Sequence, residues 1–126
     1  MPGKNLEFGK QAEDAAVKFL KVQGYKIIRR NYKTKFGEID IIAEDKGVIC
    51  FVEVKARHSK LFGGPGEAVS PLKQRQISKV AICYLKENNF LEHSARFDVV
   101  SLLYAQDLPE IDLIKDAFEL SSDFTI

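Results

Sequence analysis

The chain contains few of the residues that build disulfide frameworks or zinc sites. It has two cysteines and two histidines among 126 residues, and their spacing matches no zinc-ligand pattern. Cys50 lies in an apolar strand pattern and Cys83 in a helical one, so each is predicted to be a small buried hydrophobe rather than a disulfide partner. This composition argues against zinc–thiolate chemistry and against a Cys/His nucleophile.

Long apolar runs are also lacking. No segment approaches the roughly 18–20 apolar residues that a membrane helix needs, and residues 1–7 lack the apolar core of a secretory signal. We therefore predict a cytoplasmic protein with no membrane partner. The length suits a single domain over residues 1–126, and contents of 45% hydrophobic and 29% charged residues are ordinary for a globular protein.

Charge is unevenly distributed, although the net charge is only +1. Residues 21–79 carry 13 Lys and Arg against 6 Asp and Glu, whereas residues 80–126 carry 3 against 9. A basic segment of this kind is typical of a surface that meets phosphates, and it predicts a nucleic-acid partner. A solvated basic face is the alternative.

Hydrophobic periodicity and turn residues predict an α/β fold, a central mixed sheet flanked by helices in the order αβββαβ with a possible further strand. Helix starts are expected at Asn5 and at Ser70-Pro71, which have N-cap and first-turn residues. A glycine-rich loop over 58–70 is predicted to close on a substrate, with Phe62 either stacking on a base or covering the site. The predicted helices are 6–23 and 71–88, and the predicted strands are 25–32, 38–44, 48–57, 96–103 and 110–115.

One predicted strand places opposite charges in an apolar run. Glu53 and Lys55 lie two residues apart, so the alternation of side chains along a strand points both to the same face. Asp40 interrupts the preceding apolar run in the same way. Because ionised side chains rarely enter a sheet unless they are paired or hold a metal, these three residues predict a site for a divalent cation and a phosphodiester.

The geometry of that site depends on strand register. A two-residue turn at Lys46-Gly47 sets Asp40 opposite Glu53, whereas a three-residue loop sets Asp40 opposite Val52. Lys-Gly is a weaker turn signal than Asn-Gly, so the sequence leaves both registers open. A shared metal favours the first register.

Phosphodiester hydrolysis needs an attacking water and neutralisation of the charge that grows on the phosphoryl oxygens. Mg²⁺ or Mn²⁺ prefers hard oxygen ligands, and the candidate ligands are Asp40, Glu53 and the backbone carbonyl of Val54. Lys55 is expected to orient the water or stabilise the transition state, and Glu13 of the first helix to reach the cluster. The candidate nucleic-acid contacts lie in the basic segment 21–79 and are Arg30, Lys33, Arg57, Lys73 and Gln74.

Several stretches together resemble the bacterial YraN-like family of the PD-(D/E)xK nuclease superfamily, and the chain is also similar in pattern to archaeal Holliday-junction resolvases. The resemblance implies a restriction-endonuclease-like fold, Glu13, Asp40, Glu53 and Lys55 as the catalytic set, DNA rather than RNA as substrate, and by analogy a homodimer. One departure is Ile39, which stands where the superfamily usually has proline. The matching stretches include Gly9-Lys-Gln-Ala-Glu13, Gly37-Glu-Ile-Asp40, Phe51-Val-Glu-Val-Lys55 and Arg96-Phe-Asp-Val-Val100.

Three functions therefore compete. The first is a Mg²⁺-dependent endonuclease, with branched or otherwise structured DNA as its substrate. The second is a non-catalytic nucleic-acid-binding or scaffold module that keeps the nuclease fold and binds in a salt-sensitive, metal-independent way. The third treats the strand charges as structural ion pairs, which contribute only about 0–1 kcal/mol each when exposed.

Overall fold

The structure, a computed structural model, describes residues 2–59 and 69–121. Most of the predicted glycine-rich loop, including Phe62, lies outside these residues. Within them the chain forms two helices and five strands, in agreement with the predicted α/β class. The elements are α1 (Pro2–Val22), β1 (Lys26–Thr34), β2 (Gly37–Asp45), β3 (Val48–Arg57), α2 (Pro71–Glu87), β4 (Ala95–Leu103) and β5 (Glu110–Phe118).

Element boundaries differ from prediction mainly at the chain ends. Helix α1 begins at Pro2, where a missing N–H costs nothing in the first turn, so Asn5 lies inside the helix and the prediction that it caps the start is wrong. Strand β5 continues past the predicted end at residue 115 to Phe118, which pairs with Phe97 and stacks on its ring at a centroid distance of 4.7 Å. The prediction for β3 is confirmed at both ends.

The five strands form one mixed sheet in the order β1-β2-β3-β4-β5. All neighbouring strands are antiparallel except β3 and β4, which are parallel. A parallel pair needs a long crossover connection, and α2 lies in the segment that joins these two strands. The predicted mixed sheet is therefore confirmed, with β1 and β5 at its edges.

The two helices cover hydrophobic cores on opposite faces of the sheet. On one face Val80 and Tyr84 of α2 belong to the same buried cluster as Phe51. On the other face Leu20 of α1 belongs to a second buried cluster with Val52. Successive residues of β3 thus face different helices, as the period of a strand requires.

The edge strands carry opposite charges. Strand β1 has four basic residues, Lys26, Arg29, Arg30 and Lys33, and no acidic one. Strand β5 has three acidic residues, Glu110, Asp112 and Asp116, against a single lysine. The charge asymmetry of the sequence therefore becomes an asymmetry between the two edges of one sheet.

The β2–β3 hairpin adopts the first of the two predicted registers. Lys46 and Gly47 have φ angles of 50° and 85°, the left-handed values that a two-residue type I′ turn requires at both central positions. Asp45 pairs with Val48, and the register runs from there to Ile41 opposite Val52. Continued by one residue, it sets Asp40 opposite Glu53.

A polar network, made of Tyr25, Asp45, Arg96 and Asp98, joins β2 and β4 to the segment between α1 and β1. Asp98 is fully buried and accepts hydrogen bonds from Arg96 Nε at 2.9 Å and from the Tyr25 hydroxyl at 2.8 Å. Arg96 also donates to Asp45 at 2.7 Å, and the amide of Asp116 donates to Asp98 at 2.9 Å. Arg96 and Asp98, two residues apart on β4, therefore form an ion pair.

Cys50 is buried, Cys83 is half-buried, and both are free thiols, as predicted. Burial is the main reason that the pKa of Cys50 rises to about 12, so its thiol stays protonated at neutral pH. Over residues 2–59 and 69–121, neither helix combines the length and the apolar character that crossing a bilayer requires.

Candidate active site

Asp40 and Glu53 meet where the β2–β3 pairing ends. The Asp40 carboxylate Oδ2 accepts the backbone amide of Val54 at 2.8 Å, which holds it against β3. Glu53 is buried beside it, close enough for the side chain and the charge of Asp40 to favour the protonated form of Glu53. The face-sharing arrangement of Asp40 and Glu53 that the two-residue turn predicts is thus present.

The pKa of Glu53 is raised to about 8, and burial is the largest cause. The side chain and the charge of Asp40 act in the same direction, whereas the charges of Lys73 and Lys55 oppose the rise. Lys73 Nζ lies 3.7 Å from Glu53 Oε2, so α2 supplies a cation to this pair. Two acids confined this closely favour a bound proton or a bound cation.

A cleft of about 1030 Å³ opens over Asp40, and the backbone and side chains of Val54 and Lys55 line it. Lys10 and Glu13 of α1 form its opposite wall. Lys55 is half-buried, it lines the cleft, and its charge lowers the pKa of Glu53. The predicted residues Asp40, Val54 and Lys55 are therefore brought together at an open surface.

Glu13 lines the same cleft but has its own partners. Its Oε1 accepts hydrogen bonds from Arg30 Nε and from Asn31 Nδ2, both at 3.0 Å. Arg30 also contacts Asp14 at 2.6 Å, and this hydrogen bond is the main reason that the pKa of Asp14 is lowered. Glu13 and Asp14 thus connect the helix α1 to β1. Arg30 forms ion pairs with both acids and also lines the cleft.

The backbone changes face where β1 and β2 cross the site. Ile39 belongs to the core under α2 and Ile41 to the core under α1, although residues two apart on a regular strand share a face. The β1–β2 register sets Asn31 opposite Asp40, and Asn31 has a φ of 54°, a left-handed conformation that asparagine tolerates better than most residues. An asparagine inside a β-rich run is the signal that identifies this position, and alternation of hydrophobic residues does not reveal it.

The other predicted nucleic-acid contacts surround the carboxyl pair. Lys33 lines the cleft, Arg57 ends β3 half-buried, and Lys73 reaches Glu53. Gln74 donates its side-chain amide to the carbonyl of Val69 at 3.1 Å, so it fastens the start of α2. Their role toward a nucleic acid stays a prediction.

Across the described ranges, no three His, Cys, Asp or Glu side chains cluster closely enough to hold a metal ion. The oxygen donors at the site are therefore two carboxylates, Asp40 and Glu53, together with the nearby carbonyl of Val54. Mg²⁺ is commonly held by one or two carboxylates and keeps several waters, so this donor set is compatible with one such ion.

Glu53→Gln is expected to stabilise the protein at alkaline pH. Because the folded state raises the pKa of Glu53 from 4.5 to about 8, it retains a proton that the unfolded state releases, and the free energy of unfolding falls as pH rises through this window. Glutamine removes the penalty, so urea denaturation should show a gain on the order of a few kcal/mol at about pH 8.5 and little change at about pH 4. The exposed control Glu92→Gln should show neither effect, and an equal effect of Glu53→Gln at both pH values would contradict the prediction.

Comparison with known proteins places these motifs in a family. The model of the uncharacterised protein family UPF0102 matches residues 12–102, a span that contains Glu13, Asp40, Glu53 and Lys55. A UPF0102 protein of Geotalea uraniireducens is 49% identical over 93% of each chain, and one of Syntrophus aciditrophicus is 48% identical over 94% of this chain and 93% of its own. A UPF0102 protein of Myxococcus xanthus is 38% identical over 94% of each chain. The chain therefore belongs to the UPF0102 family, which confirms its resemblance to the YraN-like group.

Proposed function

We propose that this protein is a divalent-metal-dependent endonuclease that hydrolyses phosphodiester bonds of DNA. The observation that carries the proposal is the contact between Asp40, which lines an open cleft together with Lys55, and Glu53, which is buried next to it. A purely structural ion pair needs no access to solvent, whereas Asp40 and Lys55 both line the cleft. Here two acids are pressed together, and the raised pKa of Glu53 is a strain that a bound cation would relieve.

Asp40, Glu53 and the Val54 carbonyl would hold a Mg²⁺ or Mn²⁺ ion, because hard oxygen donors suit both metals. When bound, such an ion neutralises charge on the phosphoryl oxygens and makes a bound water more acidic. The hydrogen bond from the Val54 amide keeps the Asp40 carboxylate oriented before any ligand arrives. Preorganisation of this kind avoids reorganisation cost during the reaction.

The chain's own residues would then divide the work. Lys55 supplies a fixed positive charge next to the scissile phosphate and a donor that orients the attacking water. Lys10 and Lys33, on the walls of the cleft, hold flanking phosphates. Glu13, held by Arg30 and Asn31, faces the same space from α1 and becomes a proton acceptor when a phosphate draws Arg30 away.

The proposed substrate is DNA in the cytoplasm. The resemblance of the sequence to resolvases, and to proteins with the restriction-endonuclease-like fold, favours structured DNA. Arg30 and Lys33 of β1 line the cleft, and α2 contributes Lys73 next to Glu53. A homodimer that makes two symmetric cuts belongs to the same proposal by analogy.

Mn²⁺ titration followed by calorimetry tests the site directly. Wild-type protein is expected to bind one Mn²⁺ ion, and Asp40→Asn should weaken that binding by at least about tenfold, because removal even of an outer partner of a metal ligand costs that much. Asp112→Asn on β5 is the matched control and should bind as wild type does. The wild type should also cut at least one substrate in a panel of linear, nicked, flapped and four-way DNAs with either metal.

One observation favours a second candidate, a non-catalytic nucleic-acid-binding module. Glu13 is already neutralised by Arg30, so α1 adds no free carboxylate to the pair in the described part of the chain. Such a module would bind DNA with a strong dependence on salt and no requirement for metal. A calorimetric titration without Mn²⁺ binding, together with salt-sensitive DNA binding, would establish this alternative and exclude the endonuclease.

A further inference from the structure

The tip of the β1–β2 hairpin presents an aromatic ring to solvent, and the hairpin residues Lys33 and Glu38 on either side of the tip line the cleft. Lys35 and Phe36 form a two-residue turn between the paired residues Thr34 and Gly37. The amide of Phe36 donates to Thr34 Oγ1 at 3.0 Å, which fixes the turn, and 38% of Phe36 is exposed. A single exposed apolar residue is ordinary on a protein surface, so the neighbours of Phe36 decide what it means.

Two ammonium groups lie near that ring. Lys35 Nζ is 5.3 Å and Lys79 Nζ is 5.6 Å from its centroid. Lys79 comes from α2, which packs against the hairpin tip so closely that a Cβ on Gly37 would meet Val80 at 3.8 Å. In the part of the chain that the structure describes, neither ammonium forms a salt bridge with a carboxylate.

The path from this ring to the carboxyl pair follows α2, which carries a lysine at each end of it, although the two lysines lie on different sides of the helix. Lys73, in the first turn, contacts Glu53, and Lys79 lies six residues later beside Phe36. Six residues of α-helix extend about 9 Å. Because each nucleotide of a duplex strand advances about 3.4 Å, this path corresponds to about two to three nucleotides.

We infer that Lys35, Phe36 and Lys79, here called the Phe36 platform, bind an unpaired base of the DNA strand that occupies the cleft. The base would stack on the Phe36 ring, and the two ammonium groups would move from the ring to the phosphates on either side of the base. Aromatic rings with nearby cations bind single strands in this way, because every base has a face to stack. The inference rests on the proposed function and names its substrate class: DNA with an unpaired nucleotide about two to three positions from the cut.

A fully paired duplex fits the platform poorly, since its bases are already stacked on one another and present only their edges. The platform therefore favours overhangs, flaps and branched ends over blunt duplex. It also gives a role to an aromatic ring that lies at a solvent-facing turn, where the geometry of the turn needs no apolar residue.

Phe36→Trp tests the inference in a protein that has no tryptophan of its own. Metal is left out of this experiment so that the DNA is not cut. A duplex with a short single-stranded overhang should then quench the indole fluorescence, whereas a blunt duplex of the same sequence should not. Leu108→Trp, at a residue that is 84% exposed in the acidic half of the chain, is the control and should respond to neither DNA. Equal quenching by both duplexes, or none by either, would overturn the platform.

Affinity measurements give an independent readout. Phe36→Ala and Phe36→Leu should both weaken overhang binding by about 5- to 100-fold, as loss of one stacked base does, and leave blunt-duplex binding unchanged. Leucine retains apolar bulk but has no ring, so a normal affinity of Phe36→Leu would refute stacking. Lys79→Ala should weaken overhang binding more than Lys86→Ala, which removes an exposed lysine from the last turn of the same helix. Circular dichroism would establish that each variant is folded.

The platform and the endonuclease can fail separately. If the wild type cuts DNA but Phe36→Trp is not quenched by an overhang, the endonuclease stands and the platform is wrong. If the overhang quenches Phe36→Trp but no DNA is cut with Mg²⁺ or Mn²⁺, the platform stands and the proposed catalysis is wrong.

Discussion

Lys55→Met is expected to reduce metal-dependent DNA cleavage by about 10²–10³-fold, the usual cost of removing one preorganised electrostatic contact to a transition state. Methionine retains most of the side-chain length and apolar volume, so the half-buried position at the cleft wall stays filled. Asp40 and Glu53 remain in place, and Mn²⁺ affinity should change little. The measurement is the single-turnover rate at saturating protein, which separates the chemical step from DNA binding.

Lys46→Met provides the matched control for Lys55→Met. Lys46 is an exposed lysine at the β2–β3 turn, at the opposite end of the hairpin from the carboxyl pair, and its replacement should leave the rate unchanged. A wild-type rate for Lys55→Met would remove Lys55 from the catalytic set. A fall in rate that excess DNA restores would assign Lys55 to binding instead of catalysis.

Asp98→Ala is expected to lower the free energy of unfolding by about 3–5 kcal/mol, because it leaves the Arg96 guanidinium inside the protein with only one of its two acidic partners. The Tyr25 hydroxyl and the amide of Asp116 lose their acceptor in the same step. The free energy of unfolding of a domain of this size is typically about 5–15 kcal/mol, so the variant should be close to unfolding at 37 °C or already partly unfolded. Urea denaturation at 25 °C measures the loss.

Asp112→Ala and a double variant sharpen the test of the polar network. Asp112 is an exposed acid on β5, and its replacement should change stability by no more than about 0.5 kcal/mol. Adding Arg96→Met to Asp98→Ala removes the guanidinium that has lost its partner, and it should restore part of the lost free energy of unfolding. A loss below about 1 kcal/mol for Asp98→Ala alone would show that water reaches Arg96 and replaces the carboxylate.

The sequence predicts elements well where the signal is local. Ser70 caps α2 through its hydroxyl, which accepts the amide of Lys73 at 3.2 Å, and Pro71 occupies the first helical position, as predicted. The strand β3 is predicted residue for residue, because its apolar run ends at a turn on one side and at a polar segment on the other. Asn5 shows the opposite case: a good N-cap residue lies within the helix, since Pro2 already begins it.

The candidate site is only partly predictable, because it depends on contacts between distant segments. Glu53 and Lys55 are visible in one strand, but their relation to Asp40 depends on the φ angles of Lys46 and Gly47, which the residue types do not determine. The contact of Glu13 with Asn31 depends on how α1 packs on β1. No local pattern records that packing, and the only sequence signal for the change of face is the asparagine itself, Asn31, inside a β-rich run.

The opposite charges of the two edge strands restrict how copies of this protein can associate. Two copies joined edge to edge through β1 would oppose four basic residues with four more, and copies joined through β5 would oppose acids with acids. A contact between β1 and β5 is attractive, but it joins two different edges, so it extends into a fibre or closes into a ring of several copies instead of forming a symmetric dimer. A symmetric dimer must consequently form through another surface, and both edges stay free of a like partner at low ionic strength.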